Sequence, residues 1–188
     1  MSEKTAAQIL RVMKTMDTLE ALPRSGYLLR GIRNPESVAA HSFGTALLAM
    51  LLADAEENID AAKTLRMAVL HETGEARMTD IPLVAKRLFP EGALHQAESK
   101  AEAEILGELD DGNDYLALLD EFREQKTREA RLVKAADKLQ MLIKVRLYEQ
   151  AGAGGLEEFF QLDQGMKLDG FPVAQALFSL LKQQGERP

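Results

Sequence analysis

Apolar side chains recur every three or four residues along nearly the whole of this chain, the spacing of helices with one buried face. Ile9, Val12, Met13, Met16 and Leu19 make the first such stripe. Leu22-Pro23-Arg24-Ser25-Gly26 interrupts it. A second break, Arg33-Asn34-Pro35-Glu36-Ser37, offers Asn34 or Ser37 as the cap of the next helix. That helix is predicted over about 38–54, with Val38, His41, Thr45, Leu48 and Leu52 on one stripe. Another over about 60–73 ends at Gly74, and a helical turn or two follows Ile81-Pro82. Helices are predicted over 94–109 and 115–124. The longest, 127–150, stops at Ala151-Gly152-Ala153-Gly154-Gly155, and a last one over 172–184 begins on a proline suited to a first helical position. No run of alternating β-branched residues predicts a strand, no internal repeat is visible, and 185–188 reads as a frayed tail. The expected fold is an all-α bundle, a single domain over 1–188.

Composition narrows the chemistry. There is no cysteine, so disulfides and thiolate metal sites are excluded. The opening MSEKTAAQIL lacks the order of a signal peptide, and the longest apolar run, near Ala46–Ala53, is too short to span a bilayer. A cytoplasmic protein with no membrane partner is expected. The net charge of −7, from 23 basic and 30 acidic residues, argues against nucleic acid as a partner. An anionic ligand would need a local basic patch, which Arg24, Arg30 and Arg33 supply.

Two of the three histidines belong to a set that changes the picture: His41, then His71-Glu72, then Asp137. Two imidazoles and two carboxylates suit a divalent transition metal that activates water. Adjacent helical residues point about 100° apart, so His71 and Glu72 share an ion only near a helix end, which Gly74 makes available. Asp137 stands among small and apolar helix residues, where a carboxylate is costly unless paired; Lys134 or Lys138 is the plain alternative partner. Glu75 and Asp80 place two further acids close by for proton transfer. His95 lies in a polar stretch and reads as surface. Met13, Met16, Met50, Met67 and Met141 read as core filler, 98–114 as acidic surface, and Lys134, Lys138, Lys144 and Arg146 as a mostly solvated face.

These stretches resemble the HD-domain metal-dependent phosphohydrolases, and among them the 5′-deoxyribonucleotidase branch. The resemblance rests on Leu22-Pro23-Arg24-Ser25-Gly26-Tyr27, on Pro35-Glu36-Ser37-Val38-Ala39-Ala40-His41-Ser42, on His71-Glu72-Thr73-Gly74-Glu75 through Thr79-Asp80-Ile81-Pro82, and on Ala136-Asp137-Lys138-Leu139. It spans about 22–150 and implies an all-α domain. It implies metal ligands at His41, His71, Glu72 and Asp137, a catalytic acid/base at Glu75 and a second active-site acid at Asp80. Arg24 would contact the substrate phosphate, and Tyr27 would be the aromatic that helps to reject ribose. The implied reaction removes the 5′-phosphate of a (deoxy)nucleoside monophosphate, using one divalent ion: Mn, Co, Fe, Ni or Zn. Members of the branch often dimerise, and 46% apolar residues allow a homodimer here. The family doublet is His-Asp, whereas this chain has His71-Glu72. The extra methylene moves the carboxylate by about 1.5 Å. Two other readings stand beside this one: an HD phosphohydrolase for a different phosphate ester, and a helical regulatory module with a structural metal.

Overall fold

The computed structural model describes residues 2–161 and 166–185. Among them the only β-type pairing is one isolated antiparallel bridge, Pro23 with Ser37. The rest of the regular structure is helical, as the periodicity predicts. The chain clusters into two compact units: one of residues up to Ser42 with Leu70–Asp120, the other of Phe43–Val69 with Glu121 onward.

The first unit opens with α1 (Ser2–Met16), followed by two short helices, α2 (Thr18–Ala21) and α3 (Ser25–Leu28). The predicted stripe faces inward only in part: Leu19 is buried and Val12 and Met16 are half-buried, but Ile9 and Met13 are exposed, and Thr5, Gln8 and Arg11 are half-buried in their stead. Polar contacts explain the rotation: Arg11 Nη1 donates to the Glu104 carbonyl (3.0 Å), Gln8 Nε2 to the Glu108 carbonyl, and Thr5 Oγ1 to Asp110 (3.2 Å). Glu104 lies in the last turn of α8 (Ala93–Leu106), where carbonyls lack helical partners. Ile105 and Leu106 of α8 and Leu119 of α9 (Gly112–Glu124) form a core against which Val12, Met16, Leu70 and Leu116 pack. Glu102, read as surface, is buried.

The helix α4 (Val38–Ala55) begins in the first unit and runs into the second. Ser37 is its cap, accepting from the Ala40 N–H (3.1 Å). Its predicted inner face is correct at Val38, His41, Thr45 and Leu52, all buried. At 18 residues and a mean hydropathy of 1.5 it is, by length and composition, apolar enough to cross a bilayer, although the longest unbroken apolar run is not.

In the second unit α5 (Ala61–Leu70) ends earlier than predicted, just short of His71. The long α10 (Arg128–Gln150) starts where expected, with Thr127 Oγ1 accepting from the Ala130 N–H. It buries Leu132, Val133, Leu139, Leu142 and Val145, each such side chain contributing about 1.5–3 kcal/mol relative to exposure, together with the small Ala136. It packs on α12 (Pro172–Gln184). The Glu56 carboxylate accepts from the Val173 and Ala174 N–H groups at the start of α12. Arg146 is not solvated: its Nε donates to the Leu181 carbonyl (2.8 Å) and its Nη1 pairs with Glu149. The short α11 (Glu158–Gln161) and, in the first unit, α6 (Glu75–Met78) were not predicted, whereas α7 (Leu83–Lys86) is the turn expected after Pro82. Of the frayed-tail expectation, 186–188 lie outside the described residues.

Candidate active site

Six of the eight residues singled out from the sequence meet in the first unit. The bridge between Pro23 and Ser37 clamps two loop segments together, with the Arg24 N–H on the Glu36 carbonyl (3.0 Å) and the Val38 N–H on the Leu22 carbonyl (2.8 Å). That clamp sets Arg24 beside the first turn of α4, where His41 is fully buried. After Leu70 the chain leaves the helix for a run of turns at 71–74, then forms α6. The turn releases His71 and Glu72 from helical geometry, so both point to one place.

Glu72 is the hub. Its Oε1 lies 3.4 Å from His41 Nε2, 3.6 Å from His71 Nε2 and 3.0 Å from Arg24 Nη1. The two imidazole rings are 5.6 Å apart and tilted by 59°. Arg24 Nη1 also lies 3.3 Å from Asp80 Oδ1 and 3.9 Å from Glu75 Oε2. Asp80 is held from the other side by Ser25, whose N–H and hydroxyl both donate to Oδ2, the hydroxyl at 2.7 Å. Thr79, just before it, sits at φ +65°, ψ 170°, a region nearly reserved for glycine. This strained residue turns the chain out of α6 and delivers Asp80 to Arg24 and Ser25.

The carboxylates divide in character. Burial pushes Glu72 up, but the positive charge of His71, a hydrogen bond from His41 and the Arg24 guanidinium outweigh it and hold Glu72 well below the usual carboxylate range. Glu75 goes the other way: burial, then the negative charges of Glu72 and Asp80, push it up to about 10, against Arg24 and Lys86. Glu75 is therefore a neutral acid at pH 7 while Glu72 is an anion. Glu75 Oε2 is buried and accepts no hydrogen bond. Beside it is a cavity of about 20 Å³, lined by Glu75, Thr79, Ile81, Lys86 and Glu98 among others, with room for one water.

The remaining two residues fare differently. Tyr27 is fully buried in α3, with 2% of its surface accessible, so its ring presents no face to an incoming sugar. Asp137 is a buried residue of α10 in the second unit, and its Oδ2 takes Lys134 Nζ at 2.7 Å and Lys138 Nζ at 3.8 Å. Of the arginine cluster, it is Arg24 that reaches the acids; Arg33 is exposed. His95 is exposed, as expected. Ser25, which holds Asp80, had not been singled out; its sequence signal was its place directly after Arg24.

The donor set fits a divalent cation. Imidazole nitrogens and a carboxylate held ionised are borderline-to-hard ligands, and three acids, Glu72, Glu75 and Asp80, stand around Arg24. The wider sequence comparison agrees with this chemistry. The chain matches the family described as HD domain over residues 16–169. It is 32% identical over 161 residues to the 5′-deoxynucleotidase HDDC2 of Danio rerio, covering 84% of this chain and 78% of that protein. It is 31% identical to the protein of the same name from Dictyostelium discoideum, covering 86% and 85%. Among solved structures, a conserved hypothetical protein from Pyrococcus furiosus superposes with a TM-score of 0.79 at 33% identity, covering 95% of this chain and 99% of that one. A predicted metal-dependent phosphohydrolase from Magnetospirillum magnetotacticum superposes with a TM-score of 0.70 at 25% identity, covering 98% and 96%.

Proposed function

Since this chain belongs to the HD-domain family, we propose that it is a metal-dependent phosphohydrolase that removes the 5′-phosphate of deoxyribonucleoside monophosphates. The observation that carries the reading is the Glu72 hub: two imidazoles, a carboxylate held ionised and the Arg24 guanidinium, a group that pairs with phosphate, around one point, with a neutral Glu75 alongside. The substrate class comes from the relatives named 5′-deoxynucleotidase. The HD match runs across both compact units, which supports one domain over 1–188. A cytoplasmic location and a homodimer belong to the same proposal.

His41, His71, Glu72 and Asp137 are assigned as ligands of one ion; each offers one nitrogen or oxygen atom to such a group. A bound divalent ion supplies Lewis acidity, lowering the pKa of a water and polarising a phosphoryl oxygen. Everything else falls to side chains. Arg24, braced by Asp80 and Glu72, neutralises charge on the phosphate as it moves toward the transition state. Water oxygen bonds to phosphorus as the bond from phosphorus to the 5′-oxygen breaks. Glu75 gives its proton to the leaving 5′-oxygen and recovers one from the incoming water. Asp80, fixed by both Ser25 donors, keeps Arg24 in register. Discrimination against ribose is not assigned to Tyr27, whose ring is buried.

The test is a phosphate-release screen of deoxyribonucleotides, ribonucleotides and sugar phosphates with Mn²⁺, Co²⁺, Ni²⁺, Fe²⁺ and Zn²⁺, with Asp137→Ala as the blank. Metal-dependent release from dAMP or its congeners, absent in the blank, supports the proposal. Release from sugar phosphates alone would leave the metal site and overturn the nucleotide. No metal bound and no release would favour a non-catalytic helical module.

A further inference from the structure

Three helices bring charged side chains to the wall of the cavity of about 20 Å³ that borders Glu75: Glu75 itself from α6, Lys86 from α7 and Glu98 from α8, with Thr79 beside them. Met78 and Ile81 add apolar surface. The helix α6 packs on α8, and the backbone at Gly74 runs so near that a β-carbon there would stand 3.7 Å from the Glu98 carbonyl oxygen. Lys86 and Glu98 are both half-buried, and the Glu75 side chain is 15% exposed. A polar cavity of this size suits one water, which takes about two to four hydrogen-bonding partners. The wall offers an ammonium donor and two carboxyl acceptors, the complement of a water that accepts once and donates twice. Burial and the charges of Glu72 and Asp80 raise the Glu75 pKa, and Lys86 acts with Arg24 against them, so the charge of Lys86 reaches Glu75.

We infer that this cavity holds an ordered water and that Lys86 is a positioning residue for Glu75, acting through it. The Lys86 ammonium donates to the water oxygen; the water donates one hydrogen to the Glu75 carboxyl and the other to Glu98. With one carboxyl oxygen held on the cavity side, the other is presented to the leaving 5′-oxygen. Lys86 and Glu98 thus act through Glu75 and not on the substrate. A plainer role exists, since the aliphatic stem of a half-buried lysine also covers apolar surface, here beside Ile81. That role predicts a change in stability only. The inference rests on the reading of Glu75 as the acid, and the experiment separates the two.

Crystal structures of wild type and Lys86→Met, fine enough to show ordered water, read the bridge. Steady-state kinetics with dAMP and Mn²⁺, and calorimetric titration with Mn²⁺, are run on both and on Lys86→Arg. Wild type is expected to hold a water within hydrogen-bond distance of Glu75, Lys86 and Glu98. In Lys86→Met, kcat should fall about 10-fold, part of the roughly 100–10,000-fold that a placed general acid supplies, with KM and Mn²⁺ affinity within about twofold of wild type. Lys86→Arg should recover most of kcat. A dry cavity in wild type, or wild-type kcat in Lys86→Met, overturns the role of Lys86 and leaves Glu75 as the acid. A fall in kcat matched by an equal fall in Mn²⁺ affinity makes Lys86 a prop of the metal site and overturns the inference as well. Wild type with the water in place but no phosphate release overturns the reading of Glu75 and the positioning role with it. Should Lys86→Met fail to fold, a dry wild-type cavity still overturns the inference.

Discussion

Removing Arg24 should have opposite effects on catalysis and on metal binding. Its Nη1 sits 3.0 Å from Glu72, 3.3 Å from Asp80 and 3.9 Å from Glu75, and all four side chains are at most 15% exposed. At an effective dielectric near 20, each of the two shorter pairs carries a gross attraction on the order of 5 kcal/mol. Most of that is offset by desolvation, but deleting one partner of a buried pair strands the others, at about 3–5 kcal/mol. For a chain of this length that is a fall in melting temperature of roughly 6–20 °C in the metal-free protein. A divalent cation meets the same carboxylates, so Arg24→Met should bind Mn²⁺ at least as tightly as wild type and recover much of its stability on loading. Phosphate release should still fall by about 100-fold or more, because the guanidinium proposed to meet the phosphoryl charge is gone. Thermal melts with and without Mn²⁺, calorimetric titration and steady-state kinetics read the three quantities. Metal affinity that falls together with activity would refute this reasoning and make Arg24 a structural clamp.

Glu75 should give the metal-free protein an inverted pH response. Its folded pKa is raised, so its stabilising contribution is present in full below about 4.5 and is lost as pH rises toward about 10; denaturant midpoints should decline over that window, and Glu75→Gln should flatten the decline. An unchanged slope in the variant would sink the assignment. Thr79→Gly relieves a positive φ that threonine rarely adopts, and should stabilise the chain by about 1 kcal/mol after the entropy of the added glycine, read from urea unfolding. Glu72→Asp restores the doublet usual in the family but draws the carboxylate back by about 1.5 Å from imidazoles now 3.4 and 3.6 Å away. Metal affinity should drop at least 10-fold on calorimetry, and tighter binding would mean that the backbone adjusts to the shorter side chain.

Much of this protein is written locally. Helix periodicity, the Ser37 and Thr127 caps and the Pro172 start depend on neighbours within a turn or two, so they were legible, as was the inner face of α4 with His41 on it. The order and spacing of four stretches, 22–27, 35–42, 71–82 and 136–139, were enough to mark the family. Other features depend on contacts between residues far apart in the chain, and only the tertiary structure decided them. The helix α1 turned Ile9 and Met13 outward because its polar side chains found carbonyls at the end of α8 and just past it, about a hundred residues away. Tyr27 went into the core, and Arg24 rather than Arg33 reached the acids, because the Pro23–Ser37 bridge fixes the direction of that loop. Glu72 and Glu75 are three residues apart and chemically alike, yet one is held ionised and the other neutral. Residue type set their ordinary pKa; the imidazoles, arginine and acids that folding gathers around each one set the difference.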